Sequence, residues 1–133
     1  MTSPAARWRV VVADDHAALR VLFRRLLERS GAFEIVGEAR DGLEAVRLVR
    51  EMQPDLALLD FSMPLLDGLE AAGEIRQCSP NTRVAILSGF DPREMQAVVL
   101  SAGVDAYIEK RIRPDGFVEQ VLAVLAVGAD HRA

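Results

Sequence analysis

The sequence predicts an α/β domain: a doubly wound sheet of five parallel strands with helices on both faces, in three layers. Three observations predict it. Short apolar runs alternate with longer stretches of helical periodicity along the whole chain. Glycine, proline and capping aspartates punctuate the junctions. Four of the apolar runs end in a residue able to handle a phosphate or a metal: Asp14-Asp15, Asp60, Ser88 and Glu109-Lys110. In a parallel sheet those four ends share one edge, where open α/β sheets keep their sites.

Trp8 to Ala13 reads as a buried strand. Ala17 to Glu28 reads as a helix with Leu19, Leu22, Phe23, Leu26 and Leu27 inward and Arg20, Arg24 and Glu28 outward. Ser30-Gly31 ends it. Phe33 to Ala39 is the second strand. Asp41-Gly42 can cap a helix running to about Met52, limited by Pro54. Leu56 to Asp60 is the third strand. Asp67 caps a helix that stops near Cys78-Ser79-Pro80. Arg83 to Leu87 is the fourth strand. Asp91-Pro92 has the form of an N-cap with proline at the first helical position, and Met95, Val98, Val99 and Ala102 face inward up to Gly103. Val104 to Ile108 is the fifth strand. Pro114 opens the last helix, with Phe117, Val118, Val121, Leu122 and Leu125 inward. Residues 1–7 are expected to be an extension, 8–127 one domain, and 128–133 an unstructured tail or truncated linker.

Composition narrows the function. The 133 residues carry a net charge of -4, which disfavours nucleic-acid binding by the chain alone. The one cysteine, Cys78, excludes an internal disulfide and fits a reducing compartment. The start lacks the apolar core of a signal peptide, and no apolar stretch is long enough for a bilayer. A cytoplasmic protein without membrane association is expected. Of 16 basic residues Lys110 is the only lysine, and arginine does not substitute for a compact ammonium.

Clustered carboxylates repel one another unless something cationic answers them. Asp14, Asp15 and Asp60 suit a hard ion such as Mg2+, with Lys110 answering from the other side. Taken alone, Asp15 reads as a helix cap. Taken together, the four strand ends do not, because capping explains neither Lys110 nor Ser88. A carboxylate can accept a phosphoryl group covalently. Asp60 is the best acceptor, since it ends the central strand and a loop follows it. Ser88 and the backbone N–H groups of Phe61-Ser62-Met63 can bind phosphoryl oxygens. His16, beside a helix start, reads as a capping or surface residue, and Arg20, Arg24 and Arg25 as a solvated basic face. His131 and Cys78 carry no chemistry in this reading, and no P-loop, dinucleotide fingerprint or zinc spacing is present.

The segment Leu59-Asp60-Phe61-Ser62-Met63-Pro64-Leu65-Leu66-Asp67-Gly68 resembles the phosphoacceptor motif of receiver domains in two-component response regulators. Asp14-Asp15 resembles the family's acidic pair, Ser88 its hydroxyl residue and Lys110 its lysine. Ala13-Asp14-Asp15-His16 with Ser88-Gly89-Phe90 is most similar to receivers of LuxR-type helix-turn-helix regulators. The resemblance implies a CheY-like, flavodoxin-type αβα sandwich with strand order 2-1-3-4-5. It implies a sensor histidine kinase as donor, Asp60 as phosphoacceptor, and Mg2+ held by Asp15, Asp60 and the Ser62 carbonyl, with Asp14 acting through water. It implies that Ser88 moves toward the phosphoryl group and Tyr107 swings inward. The surface of the helix after Asp91, the fifth strand and the last helix is then repacked to control an output partner or domain, with transcription as the expected output. Homodimers would use that surface, or the first and last helices. DNA would be reached only through a further helix-turn-helix domain.

Three positions depart from the common pattern. Arg111 follows Lys110 where many receivers have proline, Ser62 replaces a longer polar group, and Phe90 stands where an acid or amide orients water. Slow hydrolysis of the aspartyl phosphate is therefore expected. Two other readings compete. A haloacid-dehalogenase-type phosphohydrolase needs an acid two residues after its nucleophile, and Ser62 is there; its acidic pair also comes last in the chain, not first. A receiver-like interaction module that works without phosphorylation is opposed by the intact set of five residues.

Overall fold

The computed structural model describes residues 6–89, 93, 103–110 and 114–132. The described elements run β1 (Trp8–Ala13), α1 (Ala17–Arg29), β2 (Phe33–Ala39), α2 (Gly42–Met52), β3 (Leu56–Asp60), α3 (Gly68–Cys78), β4 (Arg83–Ser88), β5 (Ala106–Glu109) and α4 (Pro114–Arg132). All recorded pairings are parallel, in the order β2-β1-β3-β4-β5. The order reverses between β1 and β3, which creates the crevice at the carboxyl ends of those two strands.

Alternation along the strands supplies two cores. Val11, Ala13, Ala57, Leu59 and Ile86 pack with Ala45, Val49 and Ile75 of α2 and α3. Val10, Val12, Leu58 and Leu87 pack with Phe23, Leu27, Phe117 and Val121 of α1 and α4. The rings of Phe23 and Phe117 stack with centroids 5.1 Å apart, tying the two helices together. All five residues of β3 are buried, as a central parallel strand covered on both faces requires.

Capping follows the sequence. Asp41 accepts from Glu44 N–H at the start of α2, and Asp67 with Glu70 forms a full capping box on α3. At the opposite end from the crevice, Gln53 stands in the left-handed region at φ 45. Its Nε2 donates to the Cys78 carbonyl at 3.1 Å, and Ser79 Oγ donates to its Oε1 at 3.2 Å. The Ser79 and Thr82 hydroxyls lie 2.6 Å apart, and Thr82 Oγ1 donates to the Pro54 carbonyl at 2.7 Å. These bonds bind the ends of α2 and α3 to the start of β4.

Four expectations change. Leu22 is 45% exposed, not inward. At about 100° per residue it falls roughly 85° from the centre of the stripe formed by Leu19, Phe23, Leu26 and Leu27. β5 begins at Ala106, not Val104. Asp105 ends the turn after Gly103 instead, and its carboxylate accepts from Val84 N–H at 2.7 Å. Arg20 is not solvated, as described below. Finally, α4 continues to Arg132, where a tail was expected from residue 128. One glycine costs a helix only about 0.5–1 kcal/mol, and Gly128 is flanked by apolar residues and alanines that favour continuation. The helix expected after Asp91 lies outside the described residues, apart from Arg93, as do Phe90 and Arg111.

Candidate phosphoacceptor and metal site

β1 and β3 deliver their carboxylates side by side because Ala13 pairs with Leu59. Asp14 is fully buried just past β1, where its N–H still donates to the Ala39 carbonyl at 3.0 Å. Its Oδ1 accepts from His16 N–H at 2.8 Å. Its Oδ2 accepts no hydrogen bond among the described residues, although Lys110 Nζ stands 3.4 Å away. A buried carboxylate oxygen in that condition invites a cation.

Asp60, 3% exposed, closes β3. Its Oδ1 lies 2.8 Å from Lys110 Nζ. Lys110 reaches it because β5 runs beside β4, and Lys110 N–H donates to the Ser88 carbonyl at 2.8 Å. The same pairing fixes Ser88, buried at the end of β4 and opposite Glu109. Asp15 is exposed on the rim. Ser62 lies exposed in the loop after Asp60. That loop is pinned at both ends: Phe61 N–H donates to the Leu87 carbonyl and Gly68 N–H to the Phe61 carbonyl, each at 2.8 Å. Gly68 is required there, since a Cβ would sit 2.6 Å from the Asp60 carbonyl oxygen. Tyr107 sits on β5 opposite Ile86, half-buried and packed against the core under α2 and α3.

Burial raises the Asp60 carboxyl above its ordinary 3.8, and the charges of Asp14 and Asp15 push the same way against the Lys110 hydrogen bond. Burial alone would lower Lys110, but the hydrogen bond and charge of Asp60, with Asp14 adding, outweigh it and hold the ammonium above 10.5. Lys110 is therefore charged at neutral pH. The structure brings Asp14, Asp15, Asp60, Ser88 and Lys110 to one edge, while Tyr107 lies back along β5.

Two residues here escaped the sequence reading. Arg20 turns back from α1, and its Nη1 donates to the Asp14 carbonyl at 2.6 Å, with Glu38 of β2 as counter-charge 3.7 Å from its Nε. His16 is the N-cap residue of α1 but makes no side-chain cap bond. Its Nδ1 instead stands 3.2 Å from Asp14 Oδ1 and 3.1 Å from Asp15 Oδ1. With His16 at the N-cap, Asp15 is not the cap that its position suggested. Asp14, Asp15, His16 and Asp60 each offer a ligand atom, all within 4.8 Å of one another. Chemically, the edge joins a nucleophilic carboxylate, hard oxygen donors and a positive charge.

Comparison with known proteins agrees with this geometry. A family profile described as response regulator receiver domain matches residues 10–122. The chain is 40% identical to the oxygen regulatory protein NreC of Staphylococcus epidermidis, over 90% of this chain and 54% of the relative. It is 32% identical to the chemotaxis protein CheY of Thermotoga maritima, over 84% of this chain and 92% of the relative. Among solved structures, the receiver domain of NarL from Mycobacterium tuberculosis matches at TM-score 0.85 and 36% identity, covering 90% of this chain and 97% of that one. A DNA-binding response regulator of the LuxR family from Staphylococcus aureus matches at TM-score 0.82 and 31% identity, covering 89% and 98%. The chain spans about half the length of the transcriptional regulators it matches. Among the described residues, no helix is long and apolar enough to cross a membrane.

Proposed function

Because the chain belongs to the response-regulator receiver family of two-component systems, we propose that it takes a phosphoryl group from a sensor histidine kinase onto Asp60 and uses it as a switch. One observation carries the reading: the central strand ends in a buried carboxylate held 2.8 Å from the only lysine of the chain. A carboxylate oxygen of Asp60 attacks phosphorus, the P–N bond to the donor imidazole breaks, and that nitrogen keeps the electron pair. Lys110 shifts from the carboxylate to a phosphoryl oxygen, as a flexible point charge can. The Ser88 hydroxyl donates to a second phosphoryl oxygen.

The donor set fits Mg2+: carboxylate oxygens of Asp15 and Asp60 with the Ser62 carbonyl would hold it, and Asp14 through water. Bound there, the ion supplies charge neutralisation for the transferring group. The unbonded Oδ2 of Asp14 supports that fit. The new charge biases Ser88 and Tyr107, and through them the surface of β5, α4 and the helix that the sequence predicts after Asp91. That surface controls the output, transcriptional through a DNA-binding domain by analogy with the regulators above, and is one candidate homodimer face beside that of α1 and α4. The phosphoryl group leaves slowly, since Ser62 offers little to hold an attacking water. The setting is the cytoplasm, where the donor kinase presents its phosphohistidine.

The test is labelling with acetyl phosphate or phosphoramidate and Mg2+, read by intact mass. One phosphoryl group is expected on the wild type and none on Asp60→Asn. Labelling of the variant to the wild-type extent overturns the assignment. A phosphoryl lifetime of seconds sinks the slow-hydrolysis reading, and steady turnover of a phosphomonoester would favour a hydrolase.

A further inference from the structure

We propose that α2 and α3 form a docking face for a second copy of this chain, in an isologous pair whose twofold axis runs along the two helices. The face is distinct from both homodimer surfaces named above. The pairing does not depend on Asp60 taking a phosphoryl group.

Three observations carry it. The first is charge. Arg40, Arg47 and Arg50 lie exposed along α2 and its approach, while Glu70 and Glu74 lie exposed along α3. Arg50 and Glu74 enter no ion pair among the described residues. Arg40 and Arg47 stand 3.9 and 3.8 Å from Glu44, whose Oε1 already accepts from Arg40 N–H. Arg76, the one base of α3, turns away to Gly103 and Asp105. The second is a glycine. Gly73 is exposed in the interior of α3, where only proline is a poorer helix former. A Cβ there would meet nothing within 4 Å, so no contact inside the chain requires the glycine. The third is apolar. Leu43 and Leu65 are 51% and 70% exposed, and with Glu44 and Arg47 they line a cleft of about 290 Å3. Leu65 is held outward at φ 73, a region that bulky side chains avoid. Gly42 N–H donates to the Pro64 carbonyl at 3.4 Å, which seats that loop on the start of α2.

Geometry selects the partner. α2 and α3 each return from the end of one parallel strand to the start of the next, so they run in the same direction. They also share a start, Asp-Gly-Leu-Glu-Ala, at 41–45 and at 67–71. Arg47 and Gly73 therefore occupy the same turn of their helices. A twofold axis parallel to the helices lays α2 of one copy on α3 of the other at matching height. Arg47 then crosses Gly73 of the second copy, with its alkyl stem in the gap and its guanidinium between Glu70 and Glu74. Arg50 approaches Glu74, and Glu51 meets only the neutral Gln77. An axis across the helices would set arginine against arginine instead. Two helices of 11 residues offer less than the roughly 800 Å2 per partner of a standard interface, so the pair is weak and concentration-dependent. Its axis leaves both Asp60 edges pointing the same way.

The experiment is sedimentation equilibrium of the full, unphosphorylated chain over a concentration series to about 1 mM. The wild type is expected to dimerise within that range. Arg47→Glu and Glu74→Arg should each weaken pairing at least about tenfold. The two combined should pair more tightly than either alone, since the swap restores opposite charges across the axis. Gly73→Gln should weaken pairing yet raise the Tm of the dilute monomer, because a helix former replaces glycine. A wild type that stays monomeric to about 1 mM overturns the inference. So does a dimer that these variants leave unchanged, or a combined swap no tighter than the single ones. None of these outcomes touches the labelling of Asp60.

Discussion

Asp60 is the residue on which two demands conflict. The proposed phosphotransfer needs it ionised, yet it is 3% exposed and its carboxyl is raised above 3.8, first by burial and then by the charge of Asp14. An acid whose folded pKa exceeds its unfolded value destabilises the native state once both forms are ionised. Stability from this group is recovered as pH falls through the raised folded pKa toward 3.8, the reverse of an ordinary salt-bridged aspartate. Without Mg2+, Asp60→Asn is thus expected to be more stable than wild type at pH 7. That advantage should shrink as the pH is lowered toward 5. Urea titrations at the two pH values check both sign and trend. A variant less stable than wild type at pH 7 would mean that the Lys110 bond outweighs burial. Lys110 contributes in the opposite sense: its pKa is raised, so its stabilisation is present at neutral pH and lost only above 10.5. At this scale the sequence was most informative for residues whose chemistry is rare. Asp60, Ser88 and the single lysine stood out at strand ends. Arg20 and His16 did not, because each looks like an ordinary surface residue until the end of β1 and the start of α1 are placed in space.

Elements set the accuracy of that placement. Gly68 opens α3 against the carbonyl of Asp60, so Gly68→Ala forces a Cβ to 2.6 Å from that oxygen. Backbone must move, and the Asp60 carboxylate moves with it. A destabilisation of about 1–3 kcal/mol is expected, with slower labelling by phosphoramidate at temperatures where the variant is folded. Wild-type labelling rates would show that the strand end is indifferent to α3. On the other face, Phe117 is buried against Phe23 and anchors α4 to α1. Phe117→Ala should cost about 3–5 kcal/mol, read by urea denaturation. Strand existence was legible from apolar runs, and caps at Asp41 and Asp67 from residue type. What was not legible was any boundary set by a distant partner. β5 starts where Asp105 meets Val84 and Arg76, a contact that no local pattern announces. The outward turn of Leu22 and the run of α4 past Val127 differ in kind, since helical phase and the small cost of one glycine account for them locally.

Across the whole molecule, parallel pairing concentrates charge at one pole. Three carboxylates face one ammonium there, so a divalent cation should stabilise the fold by binding the native state alone. At about a hundredfold excess over its Kd, Mg2+ is expected to add about 2.7 kcal/mol and to raise Tm by several degrees. The shift should be much reduced in Asp60→Asn. Calorimetric scans with and without Mg2+ test this, and an equal shift in both proteins would place the ion elsewhere. The opposite pole is built differently: Gln53, Ser79 and Thr82 close it with neutral hydrogen bonds, and the turn at Pro80 and Asn81 lies exposed beyond them. The domain therefore has a charged end and a neutral one, separated by the length of β3 and β4. An insertion between Pro80 and Asn81 enters an exposed tip, the kind of position that tolerates added chain. A fluorescent protein or a tether placed there would ride on the domain as a passive handle, so that the proposed switch could be watched or immobilised from behind.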